Sequence, residues 1–268
     1  MIVFPNAKIN LGLNILNKRE DGYHNIASCF YPIPWADVLE INISNSFSIE
    51  LSGIPIPGNK EENLIVKAYQ LLKNDFDLSP VNIHLHKVVP IGAGLGGGSA
   101  DCAFAIKAIN ELFSLGLSSK KMEKYAGQLG SDCPFFIENK PVHVSGTGNI
   151  FEPTELSLKG KFIVLVYPDL HISTGEAYSG IIPKIPKVEN QKVINQPISS
   201  WKDSLLNDFE LSLFPKYPEL MLLKEKMYDN GAVYASMTGS GSTIFGIFES
   251  NVSIELPSNY TVFQAQLA

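Results

Sequence analysis

Alternation of apolar and polar residues along the chain predicts several half-buried β-strands. Within residues 7–16, apolar side chains recur at every second position from Ile9 to Ile15. This spacing places them on one face of a strand. By the same pattern, or by a short continuous apolar run, further strands are predicted at residues 38–43, 49–57, 81–88 and 161–167, and on both sides of a Gly/Ser loop within residues 234–248.

Helical spacing of apolar residues predicts several helices between these strands. In residues 63–74, Leu64, Ala68 and Leu72 fall on one stripe, and Asn63 stands where a cap is expected. Further helices are predicted at residues 119–129 and from Pro218 to near Gly231. A helix from Ser99 onward is apolar on nearly every face and is therefore expected to be mostly buried. A short helix is also predicted, with Ser131 or Asp132 as its cap and Pro134 in its first turn. Residues 181–197 lack periodicity and predict a mobile surface loop. The mixture predicts two α+β halves with a boundary near residues 150–160.

Composition and charge narrow the classes of function. The chain has 268 residues, 45% of them apolar, a net charge of −6 and no Lys/Arg run longer than two residues. Nucleic acid is a poor partner for such a surface, because gripping a phosphate backbone requires clustered basic residues. No uncharged apolar stretch is long enough to span a bilayer, and no signal peptide is recognisable at the N-terminus. The three cysteines (Cys29, Cys102 and Cys133) show no CxxC spacing and predict reduced thiols in a cytoplasmic protein.

The most informative segment is a glycine-rich run that follows a predicted strand and opens a predicted helix. Five of the seven residues from Gly92 to Gly98 are glycine. Each glycine costs backbone entropy on ordering, so a merely flexible loop is a poor explanation. Glycines let successive backbone N–H groups face one anion, and a helix N-terminus adds its positive dipole end. The residues expected to hold a nucleotide's phosphates are Pro90, Ile91, Gly92, Ala93, Gly94, Leu95, Gly96, Gly97, Gly98, Ser99 and Ala100.

Two common phosphate-binding motifs fit this run poorly. The spacing of Gly92, Gly94 and Gly97 matches the dinucleotide fingerprint, but helices follow where that motif needs a second strand ending in an acidic residue. Gly98 stands where a P-loop needs lysine. A nicotinamide dehydrogenase and a Walker-type NTPase are therefore both disfavoured.

The run resembles the phosphate loop of the GHMP superfamily, which comprises the galactokinase, homoserine, mevalonate and phosphomevalonate kinases. Residues 90–101 read PIGAGLGGGSAD, and residues 237–248 (MTGSGSTIFGIF) are similar to the superfamily's C-terminal glycine motif. The segments AKINL at 7–11, DGYH at 21–24 and GSDCP at 130–134 resemble the branch that phosphorylates a cytidine-diphosphate-linked methylerythritol. The resemblance covers nearly the whole chain. Residues 27–30 (ASCF) depart from the Gln-Thr pair common in that branch, which leaves details of the substrate pocket open.

The resemblance implies a role for each matching residue. Asp132 takes the proton of the substrate hydroxyl, although an N-cap is its simpler interpretation. Lys8 holds Asp132 anionic and stabilises charge on the transferring phosphoryl group, although a side chain that faces water is the simpler interpretation of a lysine in an alternating strand. Asn10, Tyr23, His24, Thr174 and Tyr178 bind the substrate, with Tyr23 and Tyr178 stacking on cytosine. Gly239, Ser240 and Gly241 support the active site, although a tight turn alone would explain them.

The resemblance also implies a fold and a reaction. The fold is the two-domain α+β GHMP kinase fold, with a ribosomal protein S5 domain 2-like N-terminal half (1–152), a ferredoxin-like C-terminal half (153–268) and the active site in the cleft between them. The reaction transfers the ATP γ-phosphoryl to the 2-hydroxyl of the methylerythritol, in the mevalonate-independent route to isoprenoid precursors. Mg²⁺ is expected to travel with ATP, and no dedicated metal site is expected. The protein is expected to be a monomer or a homodimer.

Two alternatives stay open at this point, besides the disfavoured nicotinamide dehydrogenase. The chain can be a homoserine- or mevalonate-type kinase, although those substrates have no base to stack on DGYH. It can be a non-catalytic nucleotide-binding member, although Lys8 and Asp132 are both retained.

His84, His86 and His143 show no partners in sequence and are expected to be surface or satisfied residues.

Overall fold

The alternating segments form strands that assemble into three four-stranded sheets in a computed structural model, which describes residues 1–268. The strands are β1 (Ile2–Val3), β2 (Asn6–Lys18), β3 (His24–Ala36), β4 (Val38–Ile43), β5 (Ser48–Gly53), β6 (Val81–Lys87), β7 (Val142–Ser145), β8 (Ile150–Pro153), β9 (Phe162–Tyr167), β10 (Tyr234–Met237), β11 (Ile244–Phe248) and β12 (Thr261–Gln266). The helices are α1 (Leu64–Asp75), α2 (Gly97–Leu112), α3 (Ser119–Gly127), α4 (Phe135–Glu138), α5 (Thr174–Ser179), α6 (Asn190–Ile194), α7 (Asp208–Leu213) and α8 (Pro218–Asp229), with 3₁₀ turns at Lys60–Glu62 and Ile198–Ser200. No helix combines the length and apolar character needed to cross a membrane.

These elements belong to two compact units, each built from separate stretches of chain. The first unit comprises Met1–Ala7, Trp35–Ile91 and Gly96–Lys140. The second comprises Lys8–Pro34, Gly92–Leu95 and Pro141–Ala268. The glycine-rich run therefore contributes residues to both units.

The first unit packs helices against one mixed sheet. The strand order is β1-β4-β6-β5, with β4 antiparallel and β5 parallel to β6. The Asn63 side chain accepts a hydrogen bond from the Ile65 N–H at the start of α1, so the predicted cap is confirmed. Helix α2 buries most of its residues, as its apolar composition predicts.

Two predicted helix starts in this unit are wrong. Helix α2 begins at Gly97 rather than near Ser99, because its first turn accommodates two glycines. Gly96, which precedes it, has a φ of 70°. Helix α4 begins at Phe135 with Pro134 as its N-cap residue and no side-chain cap. Neither Ser131 nor Asp132 is therefore the N-cap residue of this helix.

The second unit contains two sheets. One has the order β10-β11-β9-β12, with every neighbouring pair antiparallel and the continuous apolar strand β9 inside. The other has the order β2-β3-β7-β8. The prediction that β2 is half-buried is wrong, since every residue from Ala7 to Ile15 is buried. Part of the covering comes from residues near 206, where the Leu13 N–H bonds to the Leu206 carbonyl at 2.9 Å.

Residues 181–197 are not wholly a surface loop, which corrects the prediction. They contain helix α6, whose Asn190, Val193 and Ile194 are buried. The Asn190 Nδ2 donates to the Ala27 carbonyl at 3.0 Å. Two contiguous apolar residues, Val193 and Ile194, were the signal for burial, but the surrounding prolines and lysines obscured it.

The prediction that the three histidines are surface or satisfied residues is confirmed for His84 and His86 and wrong for His143. His84 and His86 share the Ser52 hydroxyl, each with a ring nitrogen 2.9 Å from Oγ. His143 is buried, its Nδ1 makes no hydrogen bond, and burial lowers its pKa. It is therefore neither a surface residue nor a fully satisfied one.

Candidate active site

The glycine-rich run presents unpaired backbone donors at the start of a long helix. Gly92, Gly94 and Gly96 take φ values of 66°, 78° and 70°, which residues with side chains rarely adopt. The first bond of α2 runs from the Ala100 N–H to the Gly96 carbonyl at 2.9 Å, so the N–H groups of Gly97, Gly98 and Ser99 have no acceptor within the helix. The helix is 16 residues long, and its dipole adds to the attraction for an anion.

A second glycine segment, the turn Gly239–Gly241 between β10 and β11, packs directly on this run. The Thr238 Oγ1 donates to the Gly94 carbonyl at 3.2 Å, and the Thr243 N–H donates to the Ala93 carbonyl at 3.4 Å. A Cβ atom at Gly94 would lie 2.1 Å from the Thr238 carbonyl oxygen. Gly94 is therefore required for close approach as well as for its backbone conformation.

Lys8 lies inside the protein beside the same glycine. The residue is only 3% exposed, so the interpretation that it simply faces water is wrong. Its Nζ donates to the Asn10 Oδ1 at 2.6 Å and to the Gly94 carbonyl at 3.2 Å, and it lies 4.7 Å from the centroid of the Phe30 ring. The buried ammonium is thus held at the glycine-rich run by polar oxygens.

Asn10 orients this lysine through a network of buried polar groups. Its Nδ2 donates to the Ser28 Oγ at 3.0 Å, and its backbone N–H donates to the Thr238 Oγ1 at 3.0 Å. Ser28 in turn donates to the Gly12 carbonyl at 2.6 Å. Neither Thr238 nor Ser28 was predicted from the sequence as a site residue. Thr238 only precedes a glycine motif there, and Ser28 lies in the segment that departs from the family pattern.

Asn207 and Asp208 position the strand and turn that carry this network. The Asn207 Nδ2 donates to the carbonyls of Met237 and Gly239 at 2.7 and 2.9 Å. Asp208 Oδ2 accepts the Ile15 N–H at 2.9 Å. Both residues therefore have a structural role in the second unit.

Asp132 lies in the turn that precedes α4, in the first unit, and is half-buried. The next residue, Cys133, is buried, and the neighbouring Cys102 thiol on α2 lowers its pKa. Helix α4, which follows this turn, packs against α2. The structure therefore places the Asp132 turn beside the helix that the glycine-rich run opens.

The four residues expected at the cytidine end lie in the second unit, with two of them in contact. His24 and Tyr178 stack on each other, with ring centroids 4.8 Å apart and an interplanar angle of 22°. Burial and the charge of Lys18 lower the pKa of His24. Tyr23 is 68% exposed after the Asp21-Gly22 turn, and Thr174 is exposed at the first position of α5.

The residues described here offer no evident protein-built metal centre. No group of three or more His, Cys, Asp or Glu side chains is arranged to hold a metal ion.

Comparison with known proteins gives consistent matches along the chain. The family model described as GHMP kinases N terminal domain matches residues 63–140, and that described as GHMP kinases C terminal matches residues 191–256. These ranges lie inside the predicted domains 1–152 and 153–268 without locating the boundary, which stays a prediction.

Named relatives match over almost their whole length. The chain is 54% identical to the 4-diphosphocytidyl-2-C-methyl-D-erythritol kinase of Bacteroides fragilis over 258 residues, covering 95% of this chain and 94% of that protein. It is 53% identical to the kinase of the same name from Cytophaga hutchinsonii, covering 93% of each. A crystal structure of 4-(cytidine 5'-diphospho)-2C-methyl-D-erythritol kinase matches with a TM-score of 0.80 and 30% identity, over 92% of this chain and 90% of that one. Methanococcus jannaschii mevalonate kinase, at 15% identity and a TM-score of 0.71 over 100% and 98% of the two chains, shares the fold.

Proposed function

Because this chain belongs to the GHMP kinases, and within them to the 4-diphosphocytidyl-2-C-methyl-D-erythritol kinases, we propose that it phosphorylates the 2-hydroxyl of that compound. The products are the 2-phosphate and ADP, and the step belongs to the non-mevalonate route to isoprenoid precursors. Membership confirms the α+β GHMP kinase fold and an ATP-dependent small-molecule kinase. The observation that carries the substrate is the 54% identity over 95% of the chain.

The glycine-rich run binds the phosphates of ATP. Free N–H groups at Gly97, Gly98 and Ser99 and the dipole of α2 supply a preorganised anion site. A Mg²⁺ ion carried by ATP would supply charge neutralisation at the transferring group. Ser99, in the first turn of α2, offers a hydroxyl oxygen near the phosphates.

Asp132 accepts the proton of the acceptor hydroxyl, and Lys8 supplies positive charge as the γ-phosphoryl transfers. Lys8 suits this task because Asn10 and the Gly94 carbonyl hold its Nζ in place. Positioning and electrostatics are most of what phosphoryl transfer requires. Asn10 acts chiefly by orienting Lys8, since its side-chain oxygen and nitrogen are both engaged within the protein.

The cytidine end is bound by Tyr23, His24, Thr174 and Tyr178. The exposed Tyr23 ring offers a platform for a flat base, and the stacked His24 and Tyr178 rings offer an aromatic wall with polar edges. The Gly239–Gly241 turn supports the phosphate loop through its contacts with Gly94. A cytoplasmic location fits the three free cysteines, and a monomer or homodimer stays a prediction.

A panel of acceptor alcohols tests the substrate. We expect turnover with 4-diphosphocytidyl-2-C-methyl-D-erythritol and none with homoserine or mevalonate, measured by ADP release. Turnover of homoserine or mevalonate in preference to the cytidylyl compound would replace the proposal with the alternative kinase, whose relatives share only the fold at 15% identity.

A single substitution tests catalysis against mere nucleotide binding. We expect Asp132→Asn to lower kcat by about 10²–10⁴-fold, the usual contribution of a positioned base, while ATP binding by calorimetry persists. Glu138→Gln is the matched control, since it removes a nearby exposed carboxylate and should leave kcat unchanged. An active Asp132→Asn enzyme would remove this residue from the mechanism.

A further inference from the structure

A cluster of three charged side chains is buried in the first unit. Asp37, Lys87 and Asp101 are 0%, 3% and 3% exposed. The Lys87 Nζ donates to Asp37 Oδ2 at 2.6 Å and to Asp101 Oδ2 at 2.7 Å. Two carboxylates share one ammonium, so the fully ionised cluster carries one excess negative charge.

The two carboxylates differ in how many hydrogen bonds they accept from the protein. Asp37, between β3 and β4, also accepts the N–H groups of Val88 and Val89 at 2.6 and 2.8 Å. Asp101, on α2, has a buried Oδ1 with no hydrogen bond. A buried carboxylate with an unpaired oxygen is the member that gives up its charge most readily.

Burial accordingly raises the pKa of Asp101, and repulsion by the Asp37 carboxylate adds to the increase, so the pKa reaches about 7 even though Lys87 opposes the shift. The other ionisable side chain that Asp101 acts on is the neighbouring Cys102 thiol on α2, whose pKa is raised chiefly by the nearby Cys133 thiol. Burial opposes the charge on Lys87, but the two carboxylates outweigh it and raise its pKa.

The cluster lies against the first turn of α2. A Cβ atom at Gly97 would be 3.0 Å from the Lys87 Nζ and 3.1 Å from the Val89 Cγ1. Asp101 follows Gly97 by four residues, which places it about 6 Å further along the helix axis. A charge on Asp101 therefore acts on an anion held at the helix N-terminus through a low-dielectric interior.

We propose that Asp37, Lys87 and Asp101 are positioning residues of the phosphate loop, and that Asp101 takes up a proton when ATP binds. The proton comes from solvent and goes to the Asp101 carboxylate, which removes the excess negative charge behind the bound phosphates. This inference rests on the proposed function, since it requires ATP at the loop.

The sign of the pH dependence follows from linkage. Bound phosphate is negative and raises the pKa of Asp101 further, so binding draws in a proton wherever Asp101 is ionised in the free protein. Affinity for ATP is then highest below the pKa of the free protein and falls as pH rises through neutrality. Lys87 and Asp37 keep their contact throughout and hold β6 against the loop.

Calorimetry measures how many protons the protein takes up when the nucleotide binds. Binding of the non-hydrolysable imido analogue of ATP, with Mg²⁺, is measured at pH 7.5 in buffers of different ionisation enthalpy. An increase of one unit in the pKa of Asp101 predicts uptake of about half a proton per nucleotide by the wild-type protein. Asp101→Asn should lose this uptake, because the amide resembles the protonated acid and does not titrate.

Kinetics separate positioning from general stability. At pH 8.5 we expect Asp101→Asn to lower KM for ATP by about fivefold to tenfold relative to wild type, with a much smaller change in kcat. Glu111→Gln is the matched control, because it removes an exposed carboxylate from the far end of the same helix. It should leave both the proton count and KM unchanged.

Each outcome decides between the claims. Nucleotide binding with equal proton uptake by wild type and Asp101→Asn overturns this inference and leaves the proposed function standing. Failure of the wild-type protein to bind the analogue overturns both. If Asp101→Asn does not fold, ¹³C-carboxyl NMR of the wild type replaces it: a pKa of Asp101 that is unchanged by the analogue overturns the inference, and an increase supports it.

Discussion

At the scale of single residues, the most consequential feature is the buried ammonium of Lys8. A charge taken out of water is costly unless oxygen atoms satisfy it. Here Asn10 Oδ1 and the Gly94 carbonyl do so, at 2.6 and 3.2 Å. Such a group is preorganised to stabilise charge that develops on a transferring phosphoryl.

We therefore expect Lys8→Met to lower kcat by about 10²-fold or more, the cost seen when one charge-stabilising donor is lost. Methionine has a similar length and no charge, so the strand should still fold, as circular dichroism would verify. Lys140→Met, which removes an exposed lysine, should be fully active. An active Lys8→Met enzyme with normal kcat would contradict the assigned role.

At the scale of elements, the glycine-rich run is shaped by another loop rather than by its own residues alone. The β10–β11 turn contacts Gly94 so closely that a Cβ atom there would be 2.1 Å from a carbonyl oxygen, whereas Gly98 has no atom within 4 Å of its Cβ position. The absence of a side chain therefore has a different effect at each of the two positions. Gly94 permits packing between loops, while Gly98 leaves space on the exposed side.

This contrast predicts opposite behaviour for two alanine variants. Gly94→Ala should destabilise the protein by at least about 1–3 kcal/mol, through its positive φ and the collision with Thr238, as measured by denaturant unfolding. Gly98→Ala should change stability by less than about 1 kcal/mol, yet raise KM for ATP. Normal KM for ATP in Gly98→Ala would show that no phosphate lies on that side of the loop.

At the scale of the whole molecule, the Asp37–Lys87–Asp101 cluster links stability to pH. The pKa of Asp101 rises from its ordinary value of 3.8 to about 7 on folding. Between these values the folded protein holds more protons than the unfolded chain, so this contribution to stability is complete at low pH and is lost as pH rises toward 7. Lys87 still has Asp37 at 2.6 Å when Asp101 is neutral, so the cluster does not come apart.

We expect Asp101→Asn to be more stable than wild type at pH 8.5, by on the order of 4 kcal/mol at most. The two proteins should converge near pH 4, where the wild-type carboxyl is protonated. Denaturant unfolding across this pH range measures the difference. A variant that is less stable than wild type at pH 8.5 would mean that the Lys87–Asp101 attraction outweighs burial.

Local sequence determined much of the architecture, because backbone conformation over short stretches depends on adjacent residues. Alternation located β4 and β6, and Asn63 marked the start of α1. The glycines at 92–98 indicated an anion site, because backbone conformation and helix-end donors depend on a few adjacent positions. Motifs at 7–11, 21–24 and 130–134 pointed to the family. Short strands such as β7, β8 and β12 carried no clear period and were not predicted.

Only tertiary structure decided what surrounds each side chain. Thr238 and Asn10 are separated by 228 positions in the chain, yet they share a hydrogen bond, and no periodicity records such a pairing. The same holds for the burial of Lys8, the stacking of His24 on Tyr178 and the unpaired oxygen of Asp101. Local pattern specifies how a segment can fold, whereas burial and charge compensation depend on which distant segments cover it. The sequence therefore predicted a phosphate site at the glycine run, and the family resemblance predicted Lys8 beside it, but neither predicted the contacts that hold Lys8 or the charged cluster near Gly97.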